Sequence, residues 1–543
     1  MESTPPTVII GAGPTGLSAA YHLGEDALLI EREERVGGWC RSIVDNGFTF
    51  DFAGHIMFSN DPYVHEMYKL LLGDNVHWQD REAWVYSKGI FTRYPFQGAL
   101  YGLPADVIKE CILGAIEARF GPVNEKPDAS SSGRVLGAKA QQQTEKAQQM
   151  PVHTNGHHAL AAATHQNGAA HQNGNGSTKA SLAGPSADVK DAEVDDCCAD
   201  GTADVFNGDD KTCDPATASL EPRNFEEFIY RVWGAGIAKH FAVPYNRKIW
   251  AVPLDQMETS WLGGRVPLPN LDEMLDGALS PKPKPMGPNA RFGYPLKGGF
   301  QALMDGFLPH LKGELRTGTH VAAVSPSRHE LTLDDGSTVQ YGHLVSTMPL
   351  PVLVRLMGDE APAEVQDAAA GLRHTSVRCV NIGIGRENVT DKHWIYYPED
   401  TVFHRIFVQG NASPHCNPAG GFGITCEITY GPLKPLPCEG EELIQLCIQH
   451  CIQVGIIHED DEIWAANEVD MPFAYVIYDH DRKQHVETIR SWLLQYDIVL
   501  SGRYSEWEYY NSDHAFVAGR QAAEKVRELQ GQNEPLRERE IGA

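Results

Sequence analysis

The sequence predicts an α/β protein built from a strand-turn-helix unit that is discontinuous along the chain, a helical region and an antiparallel β-sheet domain. Three observations predict it. The glycine turn Gly11-Ala12-Gly13-Pro14-Thr15-Gly16 lies between the apolar run Thr7–Ile10 and a helical pattern over Thr15–Leu23. A second glycine-rich turn, Tyr294–Phe300, opens a helix over Gln301–Leu311 and leads into strand-like Thr319–Val324, Glu330–Leu333 and His343–Ser346. The segments Arg378–Ile384 and Gly423–Thr429 alternate like strands of a second sheet.

Strand, glycine turn, helix and a second strand at Ala27–Ile30 read as the first half of a Rossmann-type domain. Gly11 permits the tight turn, Gly13 lets a pyrophosphate approach the backbone, and Gly16 lets helix and strand pack closely. The pyrophosphate then rests on the N-terminus of the helix, near Thr15. Glu31 ends the second strand twenty residues after Gly11. A carboxylate there can accept both ribose hydroxyls.

Residues 1–110 are assigned to the first part of this domain, 291–350 to the second and 498–530 to the third. Residues 123–221, rich in Ala, Gln, Asn, Gly, Ser, Thr, Asp and His, are read as a disordered low-complexity insertion. Such a segment buries too little apolar surface to offset its ordering entropy. Residues 222–290 are read as a helical substrate-binding region, with Asn224–His240 as one helix carrying Phe225, Phe228, Ile229 and Val232 on one face. Residues 351–497 are assigned to the β-sheet substrate domain, including an amphipathic helix at Glu441–Val454, and 531–543 to a disordered tail.

Composition narrows the function. The chain has 543 residues, 42% of them hydrophobic, with a formal net charge of −27. That charge argues against nucleic acid and anionic membranes as partners. No apolar run reaches the about 18–20 residues of a membrane span, and the start Met-Glu-Ser-Thr-Pro-Pro lacks the pattern of a signal peptide. A cytoplasmic protein is expected. The eleven cysteines form no C-x-x-C pair and read as reduced thiols, and no metal site is expected. Composition is silent on oligomeric state.

Beyond Glu31 runs Arg32-x-x-Arg35-Val36-Gly37-Gly38-Trp39-Cys40-Arg41-Ser42. This double-glycine continuation resembles the flavin amine oxidase superfamily. Thr319-His320-Val321 is similar to that superfamily's adenine-contacting strand. Gly502-Arg503, followed by Asp513-His514-Ala515-Phe516-Val517-Ala518-Gly519, is similar to its closing motif, whose helix faces the flavin ring. The resemblance implies FAD as cofactor. It places Arg32, Gly38 and Trp39 along the pyrophosphate, Val321 at the adenine, and Gly502, Arg503, Asp513, His514 and Ala515 at the flavin.

Further blocks narrow the resemblance. They are Phe52-Ala53-Gly54-His55, Arg93-Tyr94-Pro95-Phe96-Gln97, Phe241-x-x-Pro244-Tyr245-Asn246-Arg247-Lys248-Ile249-Trp250, Trp261-Leu262-Gly263-Gly264-Arg265, Trp394-Ile395-Tyr396 with Arg405, and Tyr475, Tyr478 and Tyr509. Together they resemble the UDP-galactopyranose mutases, especially the eukaryotic type, over the whole chain except the insertion. The resemblance implies a redox-neutral interconversion of UDP-galactopyranose and UDP-galactofuranose, or of a related nucleotide sugar, with N5 of reduced FAD as nucleophile and NAD(P)H as the reductant.

Residue by residue, it places Gly54 and His55 beside the flavin, and Arg265 and Arg405 on the substrate diphosphate. Tyr396, Tyr475 and Tyr509 would hydrogen-bond the same diphosphate. Tyr94, Phe96, Gln97, Phe241, Asn246 and Trp250 would line the uridine and sugar pocket. Guanidinium pairs suit a diphosphate because each binds oxygens through paired N–H donors, and Gly54 suggests close approach of backbone to a ligand. Taken singly, each residue has a plainer reading: surface ion pairs for the arginines, core packing for the aromatics, a structural histidine for His55. Ala53 and Val476 depart from the family's Gly and Pro, which leaves the sugar open. Two alternatives stand beside the mutase: a flavin oxidase or desaturase of the amine oxidase or protoporphyrinogen oxidase type, and a non-catalytic sugar-nucleotide binder.

Overall fold

The computed structural model describes residues 6–123, 222–262, 269–281 and 290–531. The predicted insertion lies outside them apart from Val123, and so do Arg265 and residues 532–543.

The runs Val8-Ile9-Ile10 and Leu28-Leu29-Ile30 are apolar throughout, which suits strands covered on both faces. They form the middle of a five-stranded parallel sheet in the order Ile498–Leu500, His343–Ser346, Thr7–Ile10, Ala27–Ile30, Glu314–Arg316. Three distant stretches of chain thus meet in one sheet. Its N-terminal helix, Pro14–Leu23, packs on the last helix, Ser512–Leu529. Ser18 Oγ donates to the Phe516 carbonyl at 2.7 Å, and a Cβ on Gly519 would lie 2.6 Å from that of Ser18. The two ends of the described chain therefore close on each other.

The second sheet has seven strands in the order Ile463–Val476, His374–Ile384, Phe422–Tyr430, Arg405–Phe407, Trp394–Tyr396, Ala83–Ser87, Ile90–Arg93. Expected as antiparallel, it contains one parallel pairing, Trp394–Tyr396 with Ala83–Ser87. The reason is connectivity: Ala83–Ser87 and Ile90–Arg93 form a hairpin that arrives from the N-terminal stretch and docks on the edge. This register sets Glu427 opposite both Cys379 and Arg405.

Two helices differ from expectation. Gln301–Leu311 is helical only over Gln301–Asp305, then turns as a 3-10 segment over Leu308–His310, because Pro309 cannot continue the hydrogen-bond ladder. The region from Phe225 to Trp250 is helical beyond His240 but not as one helix. Wide π turns at Ile229–Trp233 and Ala238–Ala242 interrupt it. Between them Gly234 and Gly236 press backbone to backbone on Gly114 and Glu110 of the helix Ala105–Phe120, where no Cβ would fit. Among the described residues no helix is long and apolar enough to cross a membrane.

Candidate functional site

Two glycine loops face each other at the carboxyl end of the parallel sheet. Gly11, with φ +97°, turns the chain out of the first strand, and Gly11 N–H donates to the Ile30 carbonyl at 2.8 Å. A Cβ on Gly16 would overlap the Gly11 carbonyl, so helix and turn are in backbone contact. Gly37 N–H donates to the Ala12 carbonyl at 2.8 Å, which draws the second loop over the first. Gly38, at φ +55°, brings its backbone against Gly13; a Cβ there would lie 3.2 Å from Gly13 Cα. The result is a side-chain-free cradle at the N-terminus of the helix Pro14–Leu23, whose first-turn N–H groups lack intrahelical partners.

Glu31 is buried beside the cradle. Its carboxylate accepts from Ala12 N–H at 2.7 Å and Glu33 N–H at 2.9 Å. Its carbonyl accepts from Thr319 N–H at 2.9 Å, which brings the strand Val321–Ser325, headed by buried Val321, to the same place. Trp39 is half-buried with its ring 6.4 Å from Phe52. Arg32, by contrast, is exposed and paired with Glu33 at 2.8 Å. Arg41, from the same loop, reaches inward: it donates to the Gly38 carbonyl at 3.0 Å, pairs with Glu33 at 3.0 Å and lies 4.7 Å from the Phe52 ring centre.

Further along, the buried strand Phe48–Asp51 delivers the loop carrying Gly54 and His55. Asp51 is fully buried and accepts from Ser42 Oγ at 2.6 Å, Tyr294 OH at 2.7 Å and Phe300 N–H at 3.0 Å. Burial pushes its carboxyl up to about 6 against the pull of these bonds. The His55 ring stacks on Phe300 with centroids 5.0 Å apart, and its Nδ1 is buried with no partner among the described residues. Burial lowers the imidazole to about 4; the Ala53 carbonyl opposes this, and Arg405 and Arg503 add to it. His55 is therefore neutral at pH 7. The reading of Gly54 changes: a Cβ there would lie 2.6 Å from Trp394 and 2.8 Å from Phe407, so ring packing accounts for the glycine.

Arginines and tyrosines line the other side. Arg405 is joined through Nε and Nη2 to Glu427 at 2.8 and 2.6 Å, and its Nη2 donates to Tyr475 OH at 3.0 Å. Burial alone would lower the guanidinium; Glu427 outweighs it, so its pKa stands well above the usual value. Arg503 lies 5.1 Å from the Tyr475 ring centre and 4.9 Å from that of Tyr509. It donates through Nη1 to the Tyr510 carbonyl at 3.0 Å, while Nε and Nη2 are buried without partners among the described residues. Gly502 precedes it at φ +90°, packed on Thr15: a Cβ would lie 2.5 Å from Thr15 Oγ1. Asp513 and His514 pair at 2.8 Å in the first turn of the last helix, with Ala515 buried behind them.

The predicted pocket residues fall into two aromatic groups. Phe96, Phe241 and Tyr245 stack in sequence at 5.0 and 5.4 Å, and Tyr396 joins Tyr245 edge-on and Tyr94 at 5.0 Å. Phe96 is fully buried and thus backs the stack, and Gln97 is buried next to it in the chain. Trp250, Trp261, Tyr475 and Tyr509 form the second group, with centroids 4.8–6.2 Å apart. Asn246 turns onto its own helix: it donates to the Ala242 carbonyl at 2.8 Å and accepts from Trp250 Nε1 at 3.2 Å.

Sequence reasoning passed over several residues at this centre. Arg81 donates to Tyr396 OH at 2.9 Å and lies 5.1 Å from the Trp394 ring, with a buried Nε that has no partner among the described residues. Nothing local marks it. Glu427 had a signal, a lone carboxylate in the apolar strand Phe422–Tyr430. Lys248, also overlooked, is a structural clamp: it donates to the Tyr397 and Glu399 carbonyls and Thr401 Oγ1, each at 2.9 Å.

A side-chain-free cradle at a helix N-terminus, a buried ribose-side carboxylate, and orphaned donors on Arg503 beside neutral His55 fit a flavin dinucleotide. Comparison with known proteins agrees. The model of the NAD(P)-binding Rossmann-like domain matches residues 9–71, and that of the flavin containing amine oxidoreductases matches residues 252–419. A solved structure of reduced UDP-galactopyranose mutase is similar over 97% of this chain and 94% of its own, with TM-score 0.74 and 25% identity. A protein described as a putative protoporphyrinogen oxidase, from Exiguobacterium sp. 255-15, shares the fold with TM-score 0.60 at 15% identity, covering 97% of this chain and 99% of its own. A putrescine oxidase variant does so with TM-score 0.57 at 13% identity, covering 97% and 99%. The chain has the fold of the flavin amine oxidase superfamily, and over nearly its whole length it is similar to a UDP-galactopyranose mutase.

Proposed function

We propose that this protein interconverts the pyranose and furanose forms of UDP-galactose or a related nucleotide sugar without net redox change. The observation that carries this reading is the placement of Tyr475. Its hydroxyl meets Arg405 at 3.0 Å while its ring lies beneath Arg503, and the charges of both arginines act on His55. Arg503 and Arg81, which have no carboxylate partner among the described residues, bring positive charge to the Arg405–Glu427 pair in a chain whose formal net charge is −27. An anionic diphosphate suits such a charged centre; an apolar polyene or a cationic amine does not.

Reduced FAD would supply the nucleophile at N5. The chain's own residues do the rest. Arg405, with Arg265 by resemblance, holds the diphosphate and stabilises it as it leaves. Tyr396, Tyr475 and Tyr509 add donors without adding charge. Trp250 presents an aromatic face to the base or sugar, and Phe241, stacked between Phe96 and Tyr245, supports the wall behind it. Neutral His55 accepts or donates a hydrogen bond at the flavin edge without adding a charge there.

The test is a turnover assay. Protein reduced with dithionite should convert UDP-galactofuranose to UDP-galactopyranose, and the oxidised protein should not; equal rates in both states, or none in either, would overturn the reading. A flavin oxidase is the second reading, favoured by the amine oxidoreductase model and the oxidase neighbours. It requires peroxide release on oxidation of an amine or porphyrinogen.

A further inference from the structure

We propose that Glu427 is a positioning residue that ties the nucleotide side of the centre to the flavin side, through one carboxylate with an oxygen committed to each. The proposal rests on the mutase reading for the identity of the nucleotide.

The geometry is specific. Oε2 accepts from Arg405 Nε at 2.8 Å and is paired with Nη2 at 2.6 Å. Oε1 accepts from Gly54 N–H at 3.2 Å, one residue before His55. The side chain is buried, with 1% of its area accessible. Glu427 stands in the middle strand of three, directly opposite Arg405 on one neighbour and Cys379 on the other, so its place is set by two ladders of backbone hydrogen bonds. Cys426 and Ile428, on either side, point to the opposite face, into a separate apolar core, as strand alternation requires.

Two consequences follow. First, Arg405 is charge-balanced, so the uncompensated positive charge of the centre sits on Arg503 and Arg81, for which the described residues supply no carboxylate partner. Arg405 contributes direction: with Nε and Nη2 fixed by Glu427, its remaining N–H groups aim one way. Second, a movement of Arg405 on binding an anion is transmitted to Gly54 and hence to the loop beside the flavin. A carboxylate is needed for this. A glutamine amide offers one acceptor atom, and its NH2 would face an N–H on the other side.

The experiment uses flavin-loaded protein and UDP as probe. Glu427→Gln should weaken UDP binding at least tenfold, and do so less than twofold in an Arg405→Met background, since the effect runs through Arg405. It should also raise the flavin midpoint potential, because loss of a buried negative charge favours the reduced flavin. An equal loss of UDP affinity in both backgrounds, or an unmoved potential, would overturn the proposal. If Glu427→Gln does not fold, Arg405→Met is compared with Arg405→Met/Glu427→Met. The second change should then cost no further UDP affinity and should restore melting temperature, because an unpaired buried carboxylate is removed; any other result rejects the coupling. If the wild-type protein does not bind UDP, the mutase reading has failed, and the flavin potential alone decides whether Glu427 acts on the flavin side.

Discussion

The Arg503 guanidinium lies 4.9 Å from the centre of the Tyr509 ring, and two of its nitrogens, Nε and Nη2, are buried without a hydrogen-bond partner among the described residues. Buried donors are rarely left unmade. Arg503→Ala should weaken FAD binding by roughly tenfold or more, since a hydrogen bond to a charged group contributes about 1.5–3 kcal/mol. Fluorescence titration of apoprotein measures it. Unchanged FAD affinity would show that these donors serve something else.

Gly13 and Gly16 should fail differently. A Cβ at Gly16 overlaps the Gly11 carbonyl, so Gly16→Ala should destabilise the fold by about 1–3 kcal/mol. At Gly13 the nearest atom to a Cβ is Gly38 Cα at 3.9 Å, so Gly13→Ala should leave melting almost unaltered. Gly13→Val should fold yet fill the cradle and lose FAD. Thermal melts and bound-flavin absorbance separate the two residues; similar behaviour of both would refute the cradle.

His55 should remain neutral well below pH 6. Burial lowers its imidazole to about 4, with Arg405 and Arg503 acting in the same direction. An NMR titration of ring nitrogens should show no protonation of His55 between pH 8 and 6. Titration near 6.5 would mean that the ring faces water, and its proposed place at the flavin would be lost.

Asp51 should make stability fall as pH rises. Burial raises its carboxyl from 3.8 to about 6, so between these values the folded state holds more protons than the unfolded one. Its contribution is fully present below 3.8 and is lost as pH passes through about 6. A shift of that size corresponds to about 3 kcal/mol. Urea unfolding from pH 4 to 7 should show wild type losing roughly that much relative to Asp51→Asn. Parallel pH curves would refute the shift.

What could be read in the sequence was local. Gly11, Gly13, Gly16 and Glu31 are within one strand-turn-helix-strand unit, and their spacing specifies a turn and a helix end with little reference to the rest of the chain. Helices were less readable where packing overrode pattern. The apolar spacing from Phe225 to Val232 gave no hint of the π turns, which accompany Gly234 and Gly236 pressed on Gly114 and Glu110.

The candidate site divides in the same way. Sequence by itself determined the nucleotide-binding turn, the flavin-type continuation at Gly37-Gly38 and the stock of arginines and tyrosines. Tertiary structure alone decided which of them meet. It turned Arg32 to solvent and Arg41 inward, attributed Gly54 to ring packing, and brought in Arg81. It also placed Glu427 between Arg405 and Gly54. The physical reason is range. A glycine turn depends on the torsions of adjacent residues, whereas a bond between Arg405 and Glu427 depends on the register of two strands, and that register is set by the packing of the whole sheet.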